Sequence, residues 1–150
     1  MKIEVKNIKH YASMSEETFC YEGTLWVDGV RLGRVSNNGH GGADRVDVPW
    51  QEYQRVDDWV KDNLTDKTLE VICHDHVAVY IAKKDLTKAL KKEAVFTVPG
   101  QDGVFGLGYK GAPPDGSLYL EVMRRNPGAQ VLNTMPHDIA LQIYLQARFG

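Results

Sequence analysis

Only two cysteines, Cys20 and Cys73, occur in the 150 residues, too few for a disulfide framework and in keeping with a reducing compartment. No apolar run approaches the roughly 18 residues of a membrane-spanning helix. The opening Met1-Lys2-Ile3-Glu4-Val5-Lys6 alternates charged and apolar residues, so it lacks the unbroken apolar stretch of a secretory signal. Neither sign of charge dominates. Eighteen Lys and Arg against 20 Asp and Glu leave a net charge of −2, which speaks against a protein built to coat nucleic acid. Internal repeats and low-complexity segments are missing as well. With 43% hydrophobic and 25% charged residues, the composition excludes disordered and fibrous classes. The length suits one buried core. A single domain over residues 1–150 is expected, in the cytoplasm and without a membrane partner.

What is present patterns as alternating strands followed by helices. Residues 2–9 place Ile3 and Val5 on one face of a strand. Residues 18–28 alternate Phe19, Tyr21, Leu25 and Val27 against Cys20, Glu22, Thr24, Trp26 and Asp28. Asp28-Gly29 is a hairpin turn signal, and 30–36 is the returning strand, with Gly33 a bulge position. Asp47 and Pro49 mark a helix start, and Trp50, Tyr53, Val56, Val60 and Leu64 form its apolar stripe. Leu69, Val71 and Cys73 alternate like a strand, so the next helix is placed from about residue 75, with Asp85 capping another that runs to about Lys92. A second hairpin joins Val95–Val98 to Val104–Tyr109. A short helix spans 117–125 and stops at Asn126-Pro127-Gly128. Val131 and Leu132 are extended, and Thr134 and Pro136 open a final helix with Ile139, Ala140, Ile143 and Tyr144 inward. The expected class is α+β: an antiparallel sheet, made of an N-terminal three-stranded meander plus a later hairpin, with helices packed mainly on one face.

The densest signal for a site is Ser36-Asn37-Asn38-Gly39-His40-Gly41-Gly42-Ala43-Asp44-Arg45. Three glycines beside one histidine cost chain entropy, and a loop that keeps them needs positive φ or a close backbone approach. Successive N–H groups in such a loop can form an anion nest, and a helix starting directly after it would add positive potential. Asn38, Gly39, His40, Gly41, Gly42, Asp44 and Arg45 are therefore the candidate ligand- or partner-binding residues. The loop lacks the GK[ST] ending of a Walker loop and is no GxGxxG fingerprint.

Other chemistry-bearing strings are weaker. Cys73-His74-Asp75-His76 contains four metal-capable side chains but no separated pair of pairs, so no metal is expected. Cys73 with His76 is the one nucleophile–base pair on offer, and no catalytic residue is assigned from it. Lys84, Lys88 and Lys91 would line one helix face, which suits solvent, phosphate or an acidic protein surface. No exposed aromatics interleave them in the manner of single-strand binders.

The SEET segment Ser15–Thr18, the Val27-Asp28-Gly29 hairpin and the SNxGHGG loop from Ser36 together resemble small uncharacterised proteins of phages, prophages and their bacterial hosts. The stretches Lys84–Leu90 and Val131–Pro136 are similar too. The resemblance implies a compact accessory protein of mobile elements and transfers no activity. It points to a non-enzymatic protein that binds and inhibits a host defence protein, in the manner of an anti-CRISPR, with a host protein as partner. One alternative is a small-molecule binder, for instance of a nucleotide signal, in which the Gly39–Gly42 loop, His40 and Arg45 hold phosphates and Trp50 or Trp26 stacks on a base. Another is a small enzyme, metal-assisted through His74, His76 and Cys73, or acid–base through His40 and Asp44. No cofactor is expected, nucleic acid is not an expected partner, and exposed strand edges would permit a homodimer.

Overall fold

The computed structural model describes residues 1–150. Asp28 and Gly29 take φ of 50° and 80°, the two positive values that a type I′ turn requires. They join β2 (Cys20–Val27) to β3 (Val30–Asn38). β1 (Ile3–His10) pairs antiparallel with β2, and β4 (Arg45–Asp47) pairs antiparallel with β3. The expected three-stranded meander is thus a four-stranded sheet of order β1-β2-β3-β4. Between Lys6 and Lys9 β1 holds one extra residue, where Asn7 has φ 53°. A second irregularity faces Leu25 and Trp26, beside Gly33 as expected. A Cβ on Gly33 would lie 2.1 Å from the Asp47 carbonyl oxygen, so only glycine lets β4 close on β3 there.

α1 (Trp50–Asn63) follows Pro49, while Asp47 ends β4 rather than opening the helix. Its stripe is narrower than the sequence suggests. Val56 and Val60 are fully buried, whereas Trp50 is 70% exposed. α2 (Leu69–Leu90) is one helix of 22 residues. It replaces the expected strand at Leu69–Cys73, the helix start near residue 75 and the separate helix capped by Asp85. The reason is spacing. Leu69, Cys73, Val77 and Ile81 lie four apart and are all buried, which is a helical stripe. The helix start is also secured from α1, because the buried Asp57 accepts a hydrogen bond from the Leu69 N–H at 2.9 Å and pairs with Lys61 at 2.6 Å.

The chain forms two compact units, Met1–Tyr80 and Ile81–Gly150. In the first, the inward residues of the sheet (Tyr21, Leu25, Val27, Val35) and of the helices (Val56, Val60, Leu69, Cys73, Val77) are the buried set. The second holds β5 (Ala94–Thr97), β6 (Phe105–Leu107), α3 (Gly116–Arg125), β7 (Gln130–Val131) and α4 (His137–Phe149). Its sheet has the order β6-β5-β7, and the expected hairpin is β5–β6. Alternation along β5 serves two cores. Val95 packs with Ala82, Leu86, Leu132, Ala140 and Tyr144, while Ala94 and Phe96 pack with Leu118, Val122 and Val131. Thr134 lies in a 3-10 turn, Pro136 precedes α4, and Ile139 of the expected inward stripe is 45% exposed.

Replacing Asp57 by Ala removes the N-terminal partner of α2 and should lower unfolding free energy by about 1–3 kcal/mol. Burial alone would raise the Asp57 carboxyl, but the Lys61 and Leu69 bonds outweigh it and hold its pKa below the ordinary value. Its contribution is therefore present above the unfolded carboxylate pKa of about 4 and fades as pH falls through the folded value. Denaturant melts of wild type and Asp57→Ala at pH 7 and pH 3 should show the gap shrinking in acid.

Candidate functional site

The glycine loop is the β3–β4 connection, so β4 stands between it and the helix that sequence reading places directly after it. Gly39 and Gly41 take φ of 85° and 92°. Gly39 has no room for a side chain, since a Cβ there would sit 2.3 Å from the Met14 carbonyl oxygen, whereas a Cβ on Gly41 would meet the movable end of the exposed Glu17 side chain, so Gly41 is favoured by its φ. The Gly39 carbonyl accepts N–H bonds from Glu16, Glu17 and Thr18 at 3.2, 2.9 and 3.4 Å. The loop is therefore folded against the Ser15–Thr18 segment.

This closure uses the donors that an anion nest would offer. The Gly39 N–H donates to Asn37 Oδ1 at 2.9 Å, the His40 N–H to Asn38 Oδ1 at 3.1 Å and the Gly41 N–H to Thr18 Oγ1 at 3.4 Å. With three N–H groups turned onto internal oxygens and no helix start behind them, the expected phosphate cradle is not formed. The two basic side chains are engaged elsewhere. His40 is exposed and contacts Glu16 at 3.1 Å, and the exposed Arg45 pairs with Asp47 at 2.9 Å.

Asn37, missed as a site residue, is the hub of the loop. It is buried and makes four hydrogen bonds: Oδ1 accepts from Thr18 Oγ1 (2.8 Å) and Gly39 N, and Nδ2 donates to the Gly42 carbonyl and to Asp44 Oδ1 (both 2.9 Å). Those bonds fill the capacity of its amide. They also carry Asp44 into the interior, where its side chain is 3% exposed.

Asp44 anchors the polar cluster beneath the loop. Its Oδ2 lies 3.3 Å from Nδ1 of His74 on α2, a charge contact rather than an aligned hydrogen bond, and Oδ2 has no hydrogen-bond partner. The buried Tyr21 hydroxyl likewise has none. Burial, then the nearby Asp44 charge, pushes the Tyr21 pKa upward. The fully buried Cys73 thiol is pushed up to about 12 by burial first, then by Asp44 and Glu70. Burial thus favours the protonated thiol, which argues against the Cys73–His76 nucleophile pair. The Asp44 side chain at 3.3 Å raises the His74 pKa against partial burial. The His74 ring, half-buried, stacks on Phe19 with centroids 5.7 Å apart.

Two cavities flank this cluster, and Asn37 lines both. One of about 200 Å³ is bounded by Thr18, Ala43, Asp44, Glu70, Val71 and His74. The other, about 360 Å³, is bounded by Tyr11, Tyr21, Arg34, Asn38 and His40. Among the candidate residues, Asp44 and Gly42 share the first cavity, and Asn38 and His40 the second. Arg45 lines neither. His74 and His76 do not converge with Cys73, and no three His, Cys, Asp or Glu side chains group as metal ligands. The pairing of Asp44 with His74 had no local signal in the sequence, since 30 residues separate them.

The His74 ring protons followed by NMR should titrate above the ordinary value of about 6.5, and Asp44→Asn should bring the midpoint down. Because the folded pKa is the higher one, the Asp44–His74 contact stabilises fully below about pH 6.5 and is lost as pH rises through the folded value. Equal midpoints in wild type and Asp44→Asn would remove the contact from the account.

No protein-family model matches the chain, and neither a curated protein nor a solved structure is significantly similar to it. The reading of the site rests on its own geometry.

Proposed function

We propose that the chain is a non-enzymatic binding protein that takes a small molecule in the cavity beneath the glycine loop. The carrying observation is Asp44, which lines a cavity of about 200 Å³: its side chain is 3% exposed, and its Oδ2 is in charge contact with His74 at 3.3 Å but has no hydrogen-bond partner. A buried acceptor without a hydrogen bond costs on the order of 1–3 kcal/mol, and the His74 contact offsets part of that cost. A ligand that brings a donor regains that cost. The cavity walls include Val71, Ala43 and the Thr18 side chain, so the fitting ligand is small, with an N–H or O–H donor on a mostly apolar or planar body. Catalysis is less well supported by the same residues. Thr18 Oγ1 donates its proton to Asn37, the Cys73 thiol is held protonated, and His74 has no activated nucleophile among its contacts.

The test is a saturation-transfer NMR screen with nucleobases, nucleosides, monosaccharides and small amines. A hit is expected to lose about tenfold or more in affinity in Asp44→Asn and to be unaffected by His40→Ala. A set of hits indifferent to Asp44→Asn, or no hit at all, would sink this reading.

A second reading keeps inhibition of a host defence protein, and the feature that favours it is Trp50. Its ring is 70% exposed and stacked on Tyr53 with centroids 5.5 Å apart, and the Tyr53 hydroxyl is tied to Glu70. An exposed, preorganised aromatic is the kind of side chain that dominates protein interfaces. In a pull-down from bacterial host lysate, a stoichiometric partner should be captured by wild type and lost with Trp50→Ala. Capture that survives the substitution would count against Trp50 as the anchor.

A further inference from the structure

The unit Ile81–Gly150 holds a larger groove, of about 550 Å³, that none of the readings above uses. Its rim carries Lys91, Lys92 and Lys110, its wall carries Tyr109, and Glu93 is the one carboxylate lining it. Three cations against one anion leave the groove positive on a chain whose net charge is −2. The three lysines are exposed and make no ion pair. Lys91 belongs here rather than to the helical stripe expected with Lys84 and Lys88, because α2 ends at Leu90.

Both walls are held in place. Asn133 Nδ2 donates to the carbonyls of Leu90 and Glu93 at 3.2 and 3.0 Å, and its Oδ1 accepts from Val95 N at 2.8 Å. That side chain pins the turn bearing Lys91 and Lys92. Opposite, the Ala112 N–H donates to the Tyr109 carbonyl at 3.1 Å, closing a tight turn. The Tyr109 hydroxyl donates to Glu121 at 3.2 Å, and Glu121 is itself bound by Arg125. The Tyr109 ring is thereby oriented while 54% of the residue remains exposed. Gly108 has no space for a side chain, since a Cβ would lie 2.9 Å from the Lys92 carbonyl oxygen, so the two walls approach closely at the base of the groove.

We infer that this groove binds a free nucleotide, its phosphates held by Lys91, Lys92 and Lys110 and its base stacked on Tyr109. Lysines serve phosphate as mobile point charges, and an aromatic face accepts any base. The volume lies within the range of small-molecule pockets. A single aromatic beside a bounded groove suits one base, whereas a nucleic-acid strand needs successive platforms along a basic track. The groove shares no residue with the cavity beneath the glycine loop, so the two assignments stand or fall separately.

The experiment is calorimetric titration of the whole protein with ADP, inorganic phosphate and a short oligothymidylate. ADP should bind, more tightly than phosphate, with affinity falling as salt rises. Lys91→Glu with Lys110→Glu should weaken ADP by about tenfold or more, while Lys83→Glu with Lys88→Glu, an equal charge change outside the groove, should weaken it much less. Tyr109→Leu should lose the preference for ADP over phosphate, and Tyr109→Phe should retain it. Asp44→Asn should leave ADP binding unchanged. The assignment is overturned if ADP does not bind, if phosphate binds equally well, if the oligonucleotide binds in its place, or if both charge-reversed pairs weaken ADP equally. The altered lysines and Tyr109 are exposed, and circular dichroism of each variant, Asp44→Asn included, should match wild type.

Discussion

The four hydrogen bonds of Asn37 are the constraint on which the first unit's site depends. A loop with Gly39, Gly41 and Gly42 has many accessible conformations, and ordering it costs on the order of 1–2 kcal/mol per residue in backbone entropy. Asn37 answers that cost locally, by joining the Ser15–Thr18 segment, the Gly39 amide, the Gly42 carbonyl and Asp44 through one buried amide. The Gly39 carbonyl adds three more bonds to the same segment. Each such bond nets about 1 kcal/mol, so no single one orders the loop, and together they are of the right size to do so. The price of this closure is Asp44, which Asn37 draws out of solvent while satisfying just one of its two oxygens.

Once buried, that carboxylate governs its neighbours. Tyr21 and Cys73 are pushed upward by burial and then by the Asp44 charge, so both stay neutral. His74 moves the same way in pKa with the opposite consequence, because the raised value favours its charged form. The cluster therefore sets the Asp44 carboxyl group beside a titratable imidazole and two neutral donors. Such a set would suit a ligand group that donates hydrogen bonds, which is the basis of the proposed function.

How much of this was legible in the sequence follows from the range of the interactions. Asp28-Gly29 was readable because its turn needs positive φ at two adjacent positions, a purely local demand. β4 was not, because Arg45-Val46-Asp47 is three residues long and exists only through pairing with Val35 and its neighbours. The start of α2 was misread because Leu69, Val71 and Cys73 satisfy a period of two as well as Leu69, Cys73 and Val77 satisfy a period near four. The tie from Asp57 to the Leu69 N–H decides between them, and it spans 12 residues. The glycine loop was found as a place, yet its use was not. Whether its amides face out or in depends on Thr18 and Asn37, and whether Asp44 is buried beside an imidazole depends on α2.

The Ser15–Thr18 and Ser36–Gly42 segments, separate in the sequence, are one structural unit. Gly39 is demanded by the Met14 carbonyl and Gly41 by its positive φ, so both glycines are explained by folding without any ligand. A motif of this kind reports first on folding. The residue left with unspent chemistry is Asp44, two positions beyond the glycine run, and its partner His74 lies outside the motif altogether. A glycine-rich string thus reports on chain closure, and the buried polar atoms left without hydrogen-bond partners beside it, the Tyr21 hydroxyl and Asp44 Oδ2, are the ones on which the proposed function rests.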